Sequence, residues 1–70
     1  MISAHKLATV LYEDDMSRVP DVPIEQDGRR AYDGWVRASE QAGDRQTAED
    51  LASVDRAEFA AAWDALVEHP

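Results

Sequence analysis

The absence of cysteine most constrains how this chain of 70 residues can fold. Without cysteine, neither a disulfide framework nor a thiolate metal site can stabilise it. A chain of this length forms one small domain, which we expect to span residues 1–70. Because a small domain buries a modest fraction of its surface, the fold must rest on apolar packing and its stability will be marginal.

Two segments in the first part of the chain show the periodicity of helices packed on one face. The first is predicted over 3–16, with Ser3 as the N-cap, and the second over 27–42, with Asp27 as the N-cap. Gly43 is well placed as the left-handed residue that ends the second helix. The residues of these two stripes are Ala4, Leu7, Ala8 and Leu11, followed by Ala31, Tyr32, Trp35, Ala38, Ser39 and Ala42.

The strongest local signals predict a third helix over 55–68. Asp55 and Glu58 have the spacing of a capping box, in which each side chain accepts from a backbone N–H of the other residue. Val54 and Phe59 stand where a hydrophobic staple would join the residue before the cap to the first turns of the helix.

The remaining segments are expected to be a connector and a short helical turn. Residues 19–24 contain two prolines, which remove backbone donors and favour extended conformations, so we predict an extended connector there. Residues 44–46 are expected to form a loop. A helical turn over 48–53 would follow, with Thr47 and Asp50 as a weak capping box.

The predicted fold is therefore all-α, a small bundle of three main helices plus a short helical turn. Within the second helix, Gly34 costs helix stability, which predicts close approach of another backbone or a bulky ring. Gly28 would be harmless in the first turn. The predicted core comprises Leu7, Leu11, Tyr32, Trp35, Leu51, Phe59, Trp63 and Leu66.

The chain carries a net charge of −8, unevenly distributed. Acidic side chains dominate the two ends, whereas the middle helix contains Arg29, Arg30 and Arg37, which we expect to form ion pairs with neighbouring helices. The acidity argues against direct binding of nucleic acid or anionic membranes. The sequence shows no membrane-spanning run and no signal peptide, so we expect a cytoplasmic protein.

Residue patterns that carry catalysis or metal binding are missing from the sequence. His5 and His69 lie near opposite ends of the chain, and the three glycines are isolated rather than gathered in a phosphate-binding loop. No set of side chains has the spacing of metal ligands or of a catalytic triad. We therefore predict no enzymatic activity, no cofactor and no metal.

These observations favour an acidic protein–protein interaction module, an adaptor or inhibitor that docks on another protein with a basic surface. Tryptophan is a frequent interface anchor, and both Trp35 and Trp63 fall on apolar helix faces, so either could be a core residue or an anchor. The candidate partner-binding residues are Tyr12, Glu13, Asp14, Asp15, Trp35, Glu49 and Asp50.

Three alternatives remain open at this point. A DNA mimic would place carboxylates in rows, like phosphates, and inhibit a nucleic-acid-binding protein. A homo-oligomer, or a small structural subunit of a larger complex, would use Gly34 beside Trp35 for contact between helices. A DNA-binding helix-turn-helix is suggested by three helices and the arginines of the middle helix, although the net charge opposes it.

The composition and the first 40 residues also resemble a loose group of proteins. Six arginines against one lysine, with twelve alanines, are typical of GC-rich coding. A first helix that ends in Tyr12-Glu13-Asp14-Asp15, the connector Val19-Pro20-Asp21-Val22-Pro23 and an arginine-rich helix with Trp35 resemble uncharacterised small helical proteins of actinobacteria and their phages. The resemblance implies a phage or accessory role, without an assigned activity.

Overall fold

A computed structural model describes residues 2–17 and 23–69. Within these ranges the secondary structure is helical and contains no strand, which confirms the all-α part of the predicted fold. The helices are α1 (Ala4–Ser17), α2 (Gly28–Ala42), α3 (Arg45–Ser53) and α4 (Arg56–Glu68). Of the predicted connector over 19–24, residues 19–22 lie outside the described residues, while Pro23 and Ile24 are non-helical. No helix in the described ranges is long and apolar enough to cross a membrane.

The predicted N-caps of three helices are confirmed. The Ser3 hydroxyl accepts from the N–H three residues later at 3.1 Å. Asp27 accepts from the N–H groups two and three residues later, at 2.9 and 3.4 Å. Asp55 accepts from the N–H three residues later at 3.1 Å. Each cap satisfies backbone donors that a helix leaves unpaired in its first turn.

The corner between α2 and α3 is tighter than the predicted loop. Gly43 has φ 70°, and the N–H of Asp44 donates to the carbonyl of Ser39 at 2.9 Å, which closes α2 in a Schellman motif. Asp44 also caps α3, because its carboxylate accepts from the N–H and the hydroxyl of Thr47 at 3.2 and 2.7 Å. A nine-residue α3 therefore replaces the predicted turn over 48–53, and the residue that caps it is Asp44 rather than Thr47.

The core is centred on α4, which packs against both α1 and α2. Trp63, Phe59 and Leu51 are fully buried. The ring of Trp63 meets Tyr12 edge-on at 5.3 Å between centroids and stacks on Phe59 at 5.9 Å. Leu7 and Leu11 are buried as predicted, whereas the predicted core residues Tyr32, Trp35 and Leu66 are half-buried at the margin of the core.

The close approach predicted for Gly34 occurs instead at Gly28. A Cβ on Gly28 would lie 2.6 Å from the Cα of Ala60 and 2.7 Å from its carbonyl carbon, which leaves no space for a side chain. Gly34 is exposed, and among the described residues no atom outside its two chain neighbours and the surrounding helix backbone lies within 4 Å of where its Cβ would be. The prediction was wrong because a helical glycine signals a cost in the sequence without showing which neighbour requires it.

Two further hydrogen bonds fix the start of α2 on α4. The N–H of Gly28 donates to the carboxylate of Asp64 at 2.8 Å, and the indole N–H of Trp63 donates to the carbonyl of Glu25 at 2.8 Å. Both bonds pair groups that would otherwise be costly to bury. Close backbone contact and these bonds therefore hold the same end of α2.

An ion pair joins the middle of α2 to the start of α4. The guanidinium of Arg56 donates to both carboxylate oxygens of Asp33, at 3.0 and 2.8 Å. This hydrogen bond is the main reason why the pKa of Asp33 is lowered and that of Arg56 is raised. The pair takes its acid from α2 and its arginine from α4.

Candidate functional site

A groove runs between α1 and the corner that joins α2 to α3. We call it the acidic groove. It encloses about 510 Å³ and is open to solvent along its length. Its lining residues are Val10, Leu11, Glu13, Asp14, Ser17, Trp35, Asp44 and Thr47.

One helical face of α1 supplies a whole wall of the acidic groove. Val10, Glu13, Asp14 and Ser17 are spaced by three, four and seven residues from the first, which places them along the same side of the helix. The opposite face of α1 is buried in the core and includes Ala8 and Tyr12, of which Tyr12 packs on Trp63 of α4. Burial of one face of α1 in the core therefore directs the other toward the groove.

The floor of the acidic groove is partly apolar. Val10 is 45% exposed, which makes it one of the two large apolar side chains that stand out on the described surface. Leu11 beneath it is buried, and Trp35 is half-buried at the far side. Such a strip gives a partner apolar area to cover without unfolding any part of the domain.

Carboxylates line both walls. Glu13 and Asp14 are exposed on α1, and Asp44 stands opposite them at the corner. Among the described residues that line the groove, none is basic. The hydrogen bond from the Thr47 hydroxyl, together with that from its N–H, lowers the pKa of Asp44 and keeps its carboxylate charged. The described lining therefore contains acidic side chains on both walls and no basic one.

Two acidic residues of α1 occupy positions that are unfavourable for the helix itself. Glu13 and Asp14 lie toward its C-terminus, where the helix dipole disfavours negative side chains. A sequence selected for the stability of α1 alone would place cations there. The energetic cost of this acidic placement is small.

The structure brings together three of the predicted partner-binding residues, namely Glu13, Asp14 and Trp35. Asp15 of α1 instead lines a neighbouring hollow, together with residues of α2 that include Trp35. Tyr12 is 7% exposed, so its ring belongs to the core rather than to an accessible anchor.

The predicted residues on α3 are placed elsewhere. Glu49 is exposed, and Asp50 accepts a hydrogen bond from Gln46 at 3.1 Å, but neither lines the acidic groove. Sequence reasoning missed Asp44 and Val10 as groove residues. For Val10 the available signal was its position at the edge of the apolar stripe of α1, where an apolar residue can remain exposed. The position of Asp44 depends on tertiary packing.

The functional groups in the groove are suited to binding. The Ser17 hydroxyl donates to the backbone carbonyl of Asp14 at 2.8 Å, and the Thr47 hydroxyl donates to Asp44. Across residues 2–17 and 23–69, no group of three or more His, Asp or Glu side chains is placed to hold a metal ion. The groove offers carboxylate acceptors beside an apolar floor, a combination that favours a cationic and partly apolar ligand.

Comparison of the chain with protein-family models, with curated proteins and with solved structures finds no significant match.

Proposed function

We propose that this protein is a non-enzymatic interaction module, an adaptor or inhibitor, whose acidic groove binds a basic and partly apolar segment of another protein. One observation carries the proposal: the exposed apolar side chain of Val10 lines the same groove as carboxylates on both walls, and the described lining contains no basic residue. Acidity alone would serve solubility, but acidity around an exposed apolar strip also provides a contact surface.

The two components of the groove contribute differently to binding. Carboxylates attract a basic segment at long range and accelerate its association, an effect that salt weakens. The apolar floor supplies area that leaves water when the partner is seated, and the half-buried Trp35 is the natural anchor within it. Affinity should therefore need both arginine or lysine side chains and an apolar side chain between them.

A DNA mimic agrees less well with the surface. The exposed arginines of α2, Arg29, Arg30 and Arg37, would repel the phosphate-binding surface that such a mimic must occupy. The exposed Val10 would have no phosphate counterpart in DNA. The surface therefore favours a protein segment over a DNA-binding site as the ligand.

The proposal can be tested with a synthetic amphipathic helical peptide of about 15 residues that carries leucines flanked by arginines on one face. Binding would be followed by backbone amide NMR shifts of the full chain. Addition of the peptide is expected to shift signals around Val10 and Thr47. Glu13→Lys should weaken binding about fivefold, because it reverses one wall charge in contact with the peptide.

Glu49→Lys is the matched control, since it makes the same charge change at an exposed helical position outside the groove. Equal weakening by the two variants would mean that the peptide senses only net charge, and the groove would be excluded as the site. A second pair separates the apolar contribution: Val10→Ser should weaken binding, whereas Met16→Ser, at the other exposed apolar side chain, should not.

A further inference from the structure

A second groove lies on the outer side of the helical hairpin formed by α2 and α3. Tyr32 ties the two helices together, because its hydroxyl donates to the carbonyl of Leu51 at 2.7 Å. We call the depression between the helices the hairpin groove. It encloses about 360 Å³ and is lined by Tyr32, Asp33, Val36, Arg37, Glu40, Ala48 and Ala52. It shares no lining residue with the acidic groove.

The floor of the hairpin groove is apolar and shallow. Tyr32 and Val36 on α2 and Ala48 on α3 are half-buried, and Ala52 is exposed. Small side chains on α3 allow another helix to approach closely, at the spacing of about 8–10 Å that packed helices adopt. The floor is therefore shaped for helix packing rather than for a small ligand.

The rim of the hairpin groove carries both signs of charge. Arg37 and Glu40 are exposed on α2, and Asp33 is already paired with Arg56. This balance contrasts with the net charge of −8 of the whole chain and with the acidic groove. Because each chain is acidic, two copies repel each other in most orientations. The repulsion is smallest when the two hairpin grooves face each other, since their rims carry both signs of charge.

We propose that the hairpin groove binds a second copy of this chain, so that two hairpins of α2 and α3 face each other as a four-helix bundle around a two-fold axis. In such an interface every contact occurs twice: if residue i of one copy contacts residue j of the second copy, residue j of the first copy also contacts residue i of the second. Arg37 of one copy then faces Glu40 of the second copy, and the same pair forms twice. The positions differ by three residues, so both lie on one face of α2.

The size of the chain is compatible with this interface. A stable dimer buries about 800 Å² on each partner, which is roughly one sixth of the 4822 Å² surface of the chain. The exposed sides of two helices can provide that area. A basic partner would be directed to the acidic groove instead, because Arg37 and the Arg56 that pairs with Asp33 balance the two acids of the hairpin groove.

Sedimentation equilibrium of the full chain, from micromolar to millimolar concentration, tests the proposal. The wild-type protein should approach twice the chain mass of 7.8 kDa as its concentration rises. Arg37→Glu and Glu40→Arg should each weaken dimerisation about tenfold, because each turns two ion pairs into like-charge contacts. The double variant, which swaps the charges, should restore the wild-type dissociation constant to within about threefold.

The two single variants move the net charge in opposite directions, which separates specific pairing from general repulsion. Weakening by Arg37→Glu together with strengthening by Glu40→Arg would show general repulsion and overturn the proposal. A monomer across the whole concentration range would overturn it as well. Far-UV circular dichroism would confirm that each variant is folded.

A steric pair of variants gives an independent test. Ala52→Glu places a charged side chain on the floor of the hairpin groove and should abolish the dimer. Ala61→Glu makes the same change at an exposed position of α4 outside that groove and should leave the dimer intact. Equal dimerisation of the two variants would rule out this groove. Peptide binding measured on the Arg37→Glu monomer tests the acidic groove separately.

Discussion

The two glycines of α2 have opposite surroundings. Gly28, at the first residue of the helix, is buried against the backbone of Ala60, whereas Gly34, near the middle, is exposed with open space beside it. At Gly28 the close contact between α2 and α4 leaves no space for a side chain. At Gly34 no such contact among the described residues offsets the cost of glycine within a helix.

The difference extends to the surroundings of each glycine. Around Gly28 the backbone approach, the bond to Asp64 and the indole bond to Glu25 all specify one position of α2 on α4. Around Gly34 the helix faces outward and is open to substitution. Packing against α4 therefore fixes the position of the start of α2, while the middle of the helix around Gly34 is exposed.

The largest effect is expected where the contact is closest. Gly28→Ala should destabilise the protein by about 3 kcal/mol, since the added Cβ meets backbone atoms that cannot move aside as a side chain would. Chemical denaturation followed by circular dichroism measures the free energy of unfolding. A loss below about 0.5 kcal/mol would show that α2 and α4 can separate at this point without cost, and the contrast between the two glycines would disappear.

The second expected effect has the opposite sign. Gly34→Ala should stabilise the protein by about 1 kcal/mol, because alanine has the higher helix propensity and the site has space for its Cβ. The same denaturation measurement applies, and Gly28→Ala is the natural control within one helix. Destabilisation by Gly34→Ala would mean that the open face is occupied in the folded protein in solution.

The smallest effect concerns the acid sensitivity of the middle of α2. Because its hydrogen bond to Arg56 lowers the pKa of Asp33 below the ordinary value of 3.8, the folded state releases this proton more readily than the unfolded chain. The contribution of the pair to stability is therefore present above that value and is lost as the pH falls through the lower pKa of the folded state. Asp33→Asn should reduce the loss of stability that accompanies a fall in pH.

Thermal unfolding of the wild-type protein and of Asp33→Asn, compared from about pH 6 down to about pH 2.5, measures this contribution. The two melting temperatures should converge as the pH falls. In an Arg56→Ala background, Asp33→Asn should lose most of its effect at every pH, because the partner is gone. A difference that stays constant with pH would show that the exposed pair adds nothing to stability.

The parts of the fold set by local chemistry were predictable from the sequence. Asp55, Asp27 and Gly43 act within one turn of their own positions, so their roles as caps could be read from neighbouring residues. The start of α3 was missed because Asp44 follows a C-terminal glycine so closely that it was assigned to the loop. The reversal of Gly28 and Gly34 could not be foreseen, since it depends on where α4 lies.

In the candidate site, too, local features were predictable from the sequence and features set by tertiary packing were not. The acidic end of α1 and Trp35 were visible as unusual features of the sequence, and the fold places Glu13, Asp14 and Trp35 along one groove. The contribution of Asp44 required knowledge that the corner after α2 faces α1. Tyr12 is more buried than expected, because its ring packs edge-to-face with that of Trp63. Trp35, which was also placed in the predicted core, is only half-buried.

The indole bond of Trp63 also bears on the order in which the chain can fold. Its acceptor on Glu25 lies 38 residues away, and closing so long a loop costs chain entropy before any contact is gained. The hairpin of α2 and α3, joined by a two-residue corner, needs no such closure. We therefore expect local structure in the hairpin to form first and the docking of α4 between α1 and the start of α2 to follow more slowly.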